Sequence, residues 1–156
     1  MGSASFYGYK NHIAIDTKSK FVKNYQTTPA NVHDSQVIGV LVDPDEITLA
    51  DSAYQNQATH KGAKLFTCLK NTRCKSLKAD DKMFNKIISK IRVRIEHVFG
   101  FVENAMHGAS LRSIGFDRGV LNTDLTSLAY NLLRYEQVWA SVLETLSTLR
   151  SVSSSH

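Results

Sequence analysis

Three residues of this chain have types and spacing suited to phosphoryl chemistry: Asp51, Arg92 and Glu96. Asp51 ends a short run, Glu46 to Asp51, in which Ile47 and Leu49 share a face with the acid. A lone carboxylate at the C-terminal end of a buried strand stands where open α/β sheets place their ligands. Arg92 and Glu96 are four residues apart in a long helical pattern, so they share a face one turn apart. Alone, such a pair is an ordinary surface contact worth a few tenths of a kcal/mol. With Asp51 it gains a partner. One carboxylate on a strand and one on a helix over the sheet can share a Mg²⁺ ion, which takes hard oxygen ligands. Two such ions would activate a water or a 3′-hydroxyl and stabilise the leaving oxygen.

Phosphoryl transfer on a polyanion calls for positive charge nearby. The chain has 19 Lys and Arg against 14 Asp and Glu, a net charge of +5. Between Lys61 and Ile95 there are 11 basic residues and only two acids, Asp80 and Asp81. A basic band on a net acidic remainder is the footprint of a polyanion partner. Lys75, Lys78, Lys82, Lys86, Lys90 and Arg94 are the candidate phosphate contacts within it. Other constellations carry less. Cys68 and Cys74, with His60, His97 and His107, lack zinc-site spacing. There is no dinucleotide or P-loop glycine pattern. Ser35 follows His33 and Asp34, but sequence neighbours do not make a triad.

The chain must fold to position these groups. It has 156 residues, 42% apolar and 21% charged, enough for one domain with a core. No apolar run approaches the ~20 residues of a membrane span, and the start lacks a signal-peptide pattern. Two cysteines make no disulfide framework, so the expected location is the cytoplasm.

Tyr7 to Asp16 alternates with a period of two and reads as a strand. Asp16 to Ser19 is turn chemistry, and Phe21 to Thr28 returns as an antiparallel partner stopped by Pro29. Asp34 is the expected cap of a short helix that buries Val37, Ile38, Val40 and Leu41. Glu46 to Asp51 is a third strand, Tyr54 to His60 a weak helix ended by Gly62, and Leu65 to Leu69 a fourth strand. The strongest periodicity runs from Asp80 to Met106, with Phe84, Ile87, Ile88, Ile95 and Val98 in one apolar stripe. A last helix follows Asn122-Thr123-Asp124, with Leu125, Leu128, Leu132 and Tyr135 on one side, and its expected extension runs through Trp139, Leu143 and Leu146. The order of elements predicts an α/β or α+β layer fold. The expected domain is 1–150, followed by a disordered Ser-rich tail, 151–156.

Four blocks in order carry a resemblance. They are Tyr7-Gly8-Tyr9-Lys10-Asn11-His12, Asn31-Val32-His33-Asp34-Ser35, Ala50-Asp51-Ser52-Ala53-Tyr54, and Arg92-Val93-Arg94-Ile95-Glu96-His97-Val98-Phe99-Gly100. Together they resemble the DDE transposases of bacterial insertion sequences. The nearest group is the one named for insertion sequence five, within the insertion-sequence-four-like set. The resemblance implies a ribonuclease-H-like fold, a mixed sheet with flanking helices. It implies three catalytic acids that bind Mg²⁺ (or Mn²⁺) to cleave DNA and transfer strands. Asp51 resembles the second acid, Glu96 the third, and Arg92 the Arg of the family's Tyr-x2-Arg-x3-Glu-x6-Lys signature. The partners implied are transposon-end and target DNA, with a second copy or a full-length transposase.

The departures shape the expectation. The signature Tyr and Lys positions are Ser89 and Glu103 here. In the family the first acid lies on a strand upstream of the Tyr7 block, which this sequence does not show. Asp16 falls in the turn after a different strand and is a poor substitute. The expectation is a truncated, catalytically impaired copy that lacks the first, central strand. The alternative is a non-catalytic module that binds DNA or a full-length transposase and inhibits it. Loss of the central strand would leave two sheet edges, Lys10 to Ile15 and Ile47 to Asp51, without their partner.

Overall fold

The structure, a computed structural model, describes residues 8–50, 54, 62–71, 76–108 and 115–153. It opens with a hairpin. β1 (Tyr9–Ile15) and β2 (Val22–Pro29) pair antiparallel, with Ile13 opposite Tyr25 and a register shift between Ala14 and Ile15. The turn forms as the residue types predict: the Asp16 carboxylate accepts from the N–H groups of Lys18 and Ser19 and from the Ser19 hydroxyl. Pro29, which has no N–H to continue the ladder, is the last residue of β2.

A single 3-10 turn, Asp34–Val37, leads into α1 (Ile38–Leu41). Its cap is not Asp34. His33 Nδ1 accepts from the Ser35 N–H at 3.2 Å, while Asp34 is drawn to Lys10, Oδ1 to Nζ 3.0 Å. An ion-paired hydrogen bond outcompetes a neutral cap. Val37, Ile38 and Leu41 are buried, but Val40 is 55% exposed. It lies about 110° from the centre of that inward face. β3 (Ile47–Ala50) and β4 (Lys64–Thr67) pair in parallel, Leu49 opposite Phe66. Gly62 enters β4 with φ +82°, a left-handed conformation that costs glycine little.

Two helices complete the chain. In α2 (Ala79–Asn104) the Asp81 carboxylate accepts from the Lys78 N–H at 3.0 Å, the reciprocal half of a capping box. Ile88 and Val98 are buried along its stripe, while Ile87 and Phe99 stay exposed, so the stripe is wider than the surface that covers it. α3 (Phe116–Ser153) starts before Asn122 and runs into the expected tail; residues 154–156 lie outside the described residues. α3 crosses β1 closely at Gly119, where a Cβ would come within 3.0 Å of the Tyr9 ring.

The leucine side of α3 is its exposed side. Leu125, Leu128, Leu132 and Tyr135 are 57–63% exposed, whereas Thr123, Ser127 and Tyr130 are buried. Hydrogen bonding decides this orientation. Asn131 accepts from the Val22 N–H and donates to the Val22 carbonyl, both at 2.9 Å. The Tyr130 hydroxyl donates to the Lys20 carbonyl at 3.1 Å, and Arg134 Nε donates to the Ser19 carbonyl at 2.7 Å. These side chains satisfy the main chain at the outer edge of the hairpin, which leucines cannot do.

Two small cores result. Val22, Val98 and Tyr130 join the hairpin to α2 and α3, with Phe101 edge-on to Tyr130 at 5.8 Å between ring centres. Ile38, Val42 and Ala63, with Tyr54 and Leu65, join α1 to the parallel pair. The fold is therefore mixed α/β. The expected single mixed sheet does not form among the described residues; there are two two-stranded sheets, β1–β2 and β3–β4. A cavity of about 340 Å³ separates them, bordered by consecutive residues of both β1 and β3.

Candidate functional site

Of the three residues singled out in the sequence, Arg92 borders the cavity between the sheets. β3 delivers its C-terminal residue, Ala50, to the wall, and Asp51 follows it in sequence. Asp51 itself lies outside the described residues. α2 lies against β3 and contributes Ile91, Arg92 and Ile95 to the same wall. Arg92 is half-buried, and Glu96, one helical turn further along the same face, is exposed to solvent. The helix thus brings Arg92 to a cavity that Ala50 also borders, with Glu96 one turn further along α2.

The other wall joins two of the quoted blocks. Lys10 and His12 are two residues apart on β1 and so project to one side of the hairpin. Lys10 Nζ donates to Asp34 Oδ1 at 3.0 Å and to the Val32 carbonyl at 3.1 Å. His12 is buried, with Nε2 3.0 Å from Thr28 Oγ1. Burial lowers the His12 pKa, partly opposed by the Asp34 carboxylate and reinforced by Lys10. The Lys10 hydrogen bond lowers the Asp34 pKa. These roles were missed in the sequence, although the signal was there: a Lys and a His on one strand face, and an Asp beside a His in the next block.

The remaining cavity acids are also matched. Lys23 reaches Asp43 at 2.7 Å and Glu46 at 2.6 Å. Its hydrogen bonds to the two carboxylates raise the Lys23 pKa, and the Asp43 pKa is lowered in turn. Among the described residues no three His, Cys, Asp or Glu side chains come together as a metal centre. Glu96 is a hard oxygen donor of the kind Mg²⁺ takes, but the described residues do not by themselves build an ion site.

The basic candidates divide. Lys78, Lys82, Lys86 and Lys90 are exposed along the start and outer side of α2. Arg94 is exposed too, but its Nη1 donates to the Thr17 carbonyl, so it also ties α2 to the hairpin turn. Lys75 lies outside the described residues. A second cavity, about 180 Å³, is walled by Lys20, His97 and Arg134 over Phe101 and Tyr130. It adds cationic surface next to that of α2.

The family model described as the transposase DDE domain matches residues 2–132, most of the chain. The chain belongs to the transposase DDE domain family. That membership ties it to DNA transposition, DNA binding and a family chemistry that uses divalent metal ions. No solved structure matches the chain. No described helix is long and apolar enough to cross a membrane.

Proposed function

We propose that this chain forms part of the catalytic domain of a DNA transposase, with residues 1–150 as the domain and a ribonuclease-H-like layout of its elements. The family match over 2–132, with Arg92 and the end of β3 on one cavity, is the observation that supports this reading. Asp51 and Glu96 are the second and third acids in the proposal and would hold Mg²⁺ or Mn²⁺ between them. When bound, the ion supplies Lewis-acid activation of a water or 3′-hydroxyl. Arg92 adds positive charge beside the acids in this proposal. The exposed lysines of α2 bind the phosphate backbone, with Lys75 and Lys78 continuing the band. No residue here matches the family's first acid, so by this reading the chain acting alone is catalytically impaired. A second reading, a DNA-binding or transposase-interacting inhibitor, draws on the pairing of Asp34, Asp43 and Glu46 with lysines, which leaves the described cavity acids neutralised.

Duplex binding followed by fluorescence anisotropy tests the proposal. Affinity should be sequence-tolerant and fall steeply with salt, by about 0.9 log unit per log unit of salt for each phosphate contact. Replacing Lys86→Glu and Lys90→Glu together should weaken binding equally across sequences and flatten that slope by about 1.8. Mg²⁺ should tighten the wild-type complex and leave Glu96→Gln unchanged. Salt-independent binding, or no binding at low salt, refutes the reading.

A further inference from the structure

The exposed face of α3 has a stricter pattern than an ordinary amphipathic helix. From Leu121 the apolar residues recur at steps of four and three without interruption: Leu125, Leu128, Leu132, and on through Trp139 to Leu149. All nine positions of this series are large and apolar, over four full heptads. Every one is exposed, from 41% to 63%. A strict seven-residue repeat over this length is the mark of a left-handed helix–helix seam, not of a helix laid on a sheet.

The rest of the structure leaves that seam clear. The groups that fasten α3 to the body, Tyr130, Asn131 and Arg134, lie off the seam, and Tyr130 is at the position furthest from it. From Trp139 to Arg150 every residue is exposed, a length of about 18 Å. This stretch also lies beyond residue 132, where the family match ends.

We propose that α3 is one strand of a parallel, in-register, two-stranded coiled coil formed with a second copy of this chain. Nine large side chains at roughly half exposure present on the order of 800 Å² per helix, taking ~170 Å² for each, which is about what each partner buries in a stable interface. The flanking charges accept this pairing. In parallel register Asp124 faces Ala129 of the second copy, Asn131 faces Glu136, and Thr145 faces Arg150, so no like charges meet. The antiparallel alignment sets Glu136 against Glu136 of the second copy. The proposal does not depend on the transposase reading.

Light scattering on the full chain tests it. At about 50 µM the mass should be twice the 17.4 kDa of one chain. Leu132→Glu with Leu146→Glu, both at exposed positions, should raise the dissociation constant at least 100-fold with helical content unchanged. Glu144→Lys, on the far side of α3, should leave the dimer intact. Under mild oxidation Val142→Cys should give a covalent dimer and Glu144→Cys should not, a measurement that holds even if the double variant misfolds. A wild-type monomer at that concentration, a mass above two chains, or equal cross-linking at 142 and 144 overturns the proposal.

Discussion

Asn131→Ala should detach α3 from the hairpin at a cost that can be worked out in advance. The Asn131 amide is the hydrogen-bond partner of both main-chain groups of Val22, an 8% exposed residue at the outer edge of β2. Each buried group left without a partner costs about 1–3 kcal/mol, so two cost about 2–6. Water reaches an edge more easily than a core, which favours the lower half of that range. Alanine also returns about 0.5 kcal/mol of helix propensity. The expected loss is therefore about 1.5–3.5 kcal/mol, a large share of the ~5–15 kcal/mol of a typical domain. Urea unfolding at one fixed protomer concentration measures it, because dimer formation would otherwise enter the midpoint. Glu136→Ala, exposed and one turn on, should change stability by less than about 0.5 kcal/mol. Amide exchange supplies a local readout: the Val22 N–H should lose protection well before the centre of α2. A loss below about 0.5 kcal/mol would mean that the clamp does not set the orientation of α3, and that the leucine-outward face needs another cause.

Stability should fall in two separate pH windows. His12 has a folded pKa below its ordinary value of about 6.5, so the unfolded chain takes up the proton first; stability declines as pH drops from 6.5 towards the folded pKa. His12→Gln should flatten urea midpoints between pH 7.5 and 5, and a wild-type midpoint constant over that range counts against the buried neutral histidine. Asp16, Asp34 and Asp43 have lowered folded values, so their contribution is present above about pH 4 and lost only below it. A synthetic peptide carrying the family's first strand, with its Asp, should raise the melting temperature by entering the cavity between β1 and β3. A melt unchanged by millimolar peptide would show that the cavity does not accept a strand.

The elements were mostly legible because their signals are local. Alternation from Tyr7 to Asp16 and the 3.6-residue stripe of α2 each follow from one element meeting one apolar surface. What failed depended on competition between elements. Asp34 has the side chain of a cap, but Lys10 is 24 residues away in sequence and the carboxylate goes there. α3 was harder. Periodicity shows that a helix has an apolar face without showing that this chain covers it. Tyr130, Asn131 and Arg134 fall between the positions of the leucine series, and their long-range bonds to 19–22 choose the face that turns inward. The four-three spacing was in the sequence throughout. Its meaning needed the structure, because a seam and a core stripe share the same residues until one sees what lies against them.

The cavity and the seam are unfinished in different ways, and that difference has a consequence. Among the described residues β1 and β3 each pair on one side only, and both border the cavity, so what it lacks there is main-chain donors and acceptors in extended form. A helix has none to give, since its own are already paired. The α3 seam lacks apolar cover and offers no main-chain groups, so a strand cannot complete it. The two surfaces therefore call for two separate occupants. Adding the strand peptide should leave the mass of the assembly unchanged, and breaking the seam with Leu132→Glu and Leu146→Glu should leave the peptide's effect on melting intact. If either perturbation abolished the other response, the hairpin clamp at 19–22, which joins the β1–β2 sheet to α3, would have to transmit it. Asn131→Ala would then uncouple the two.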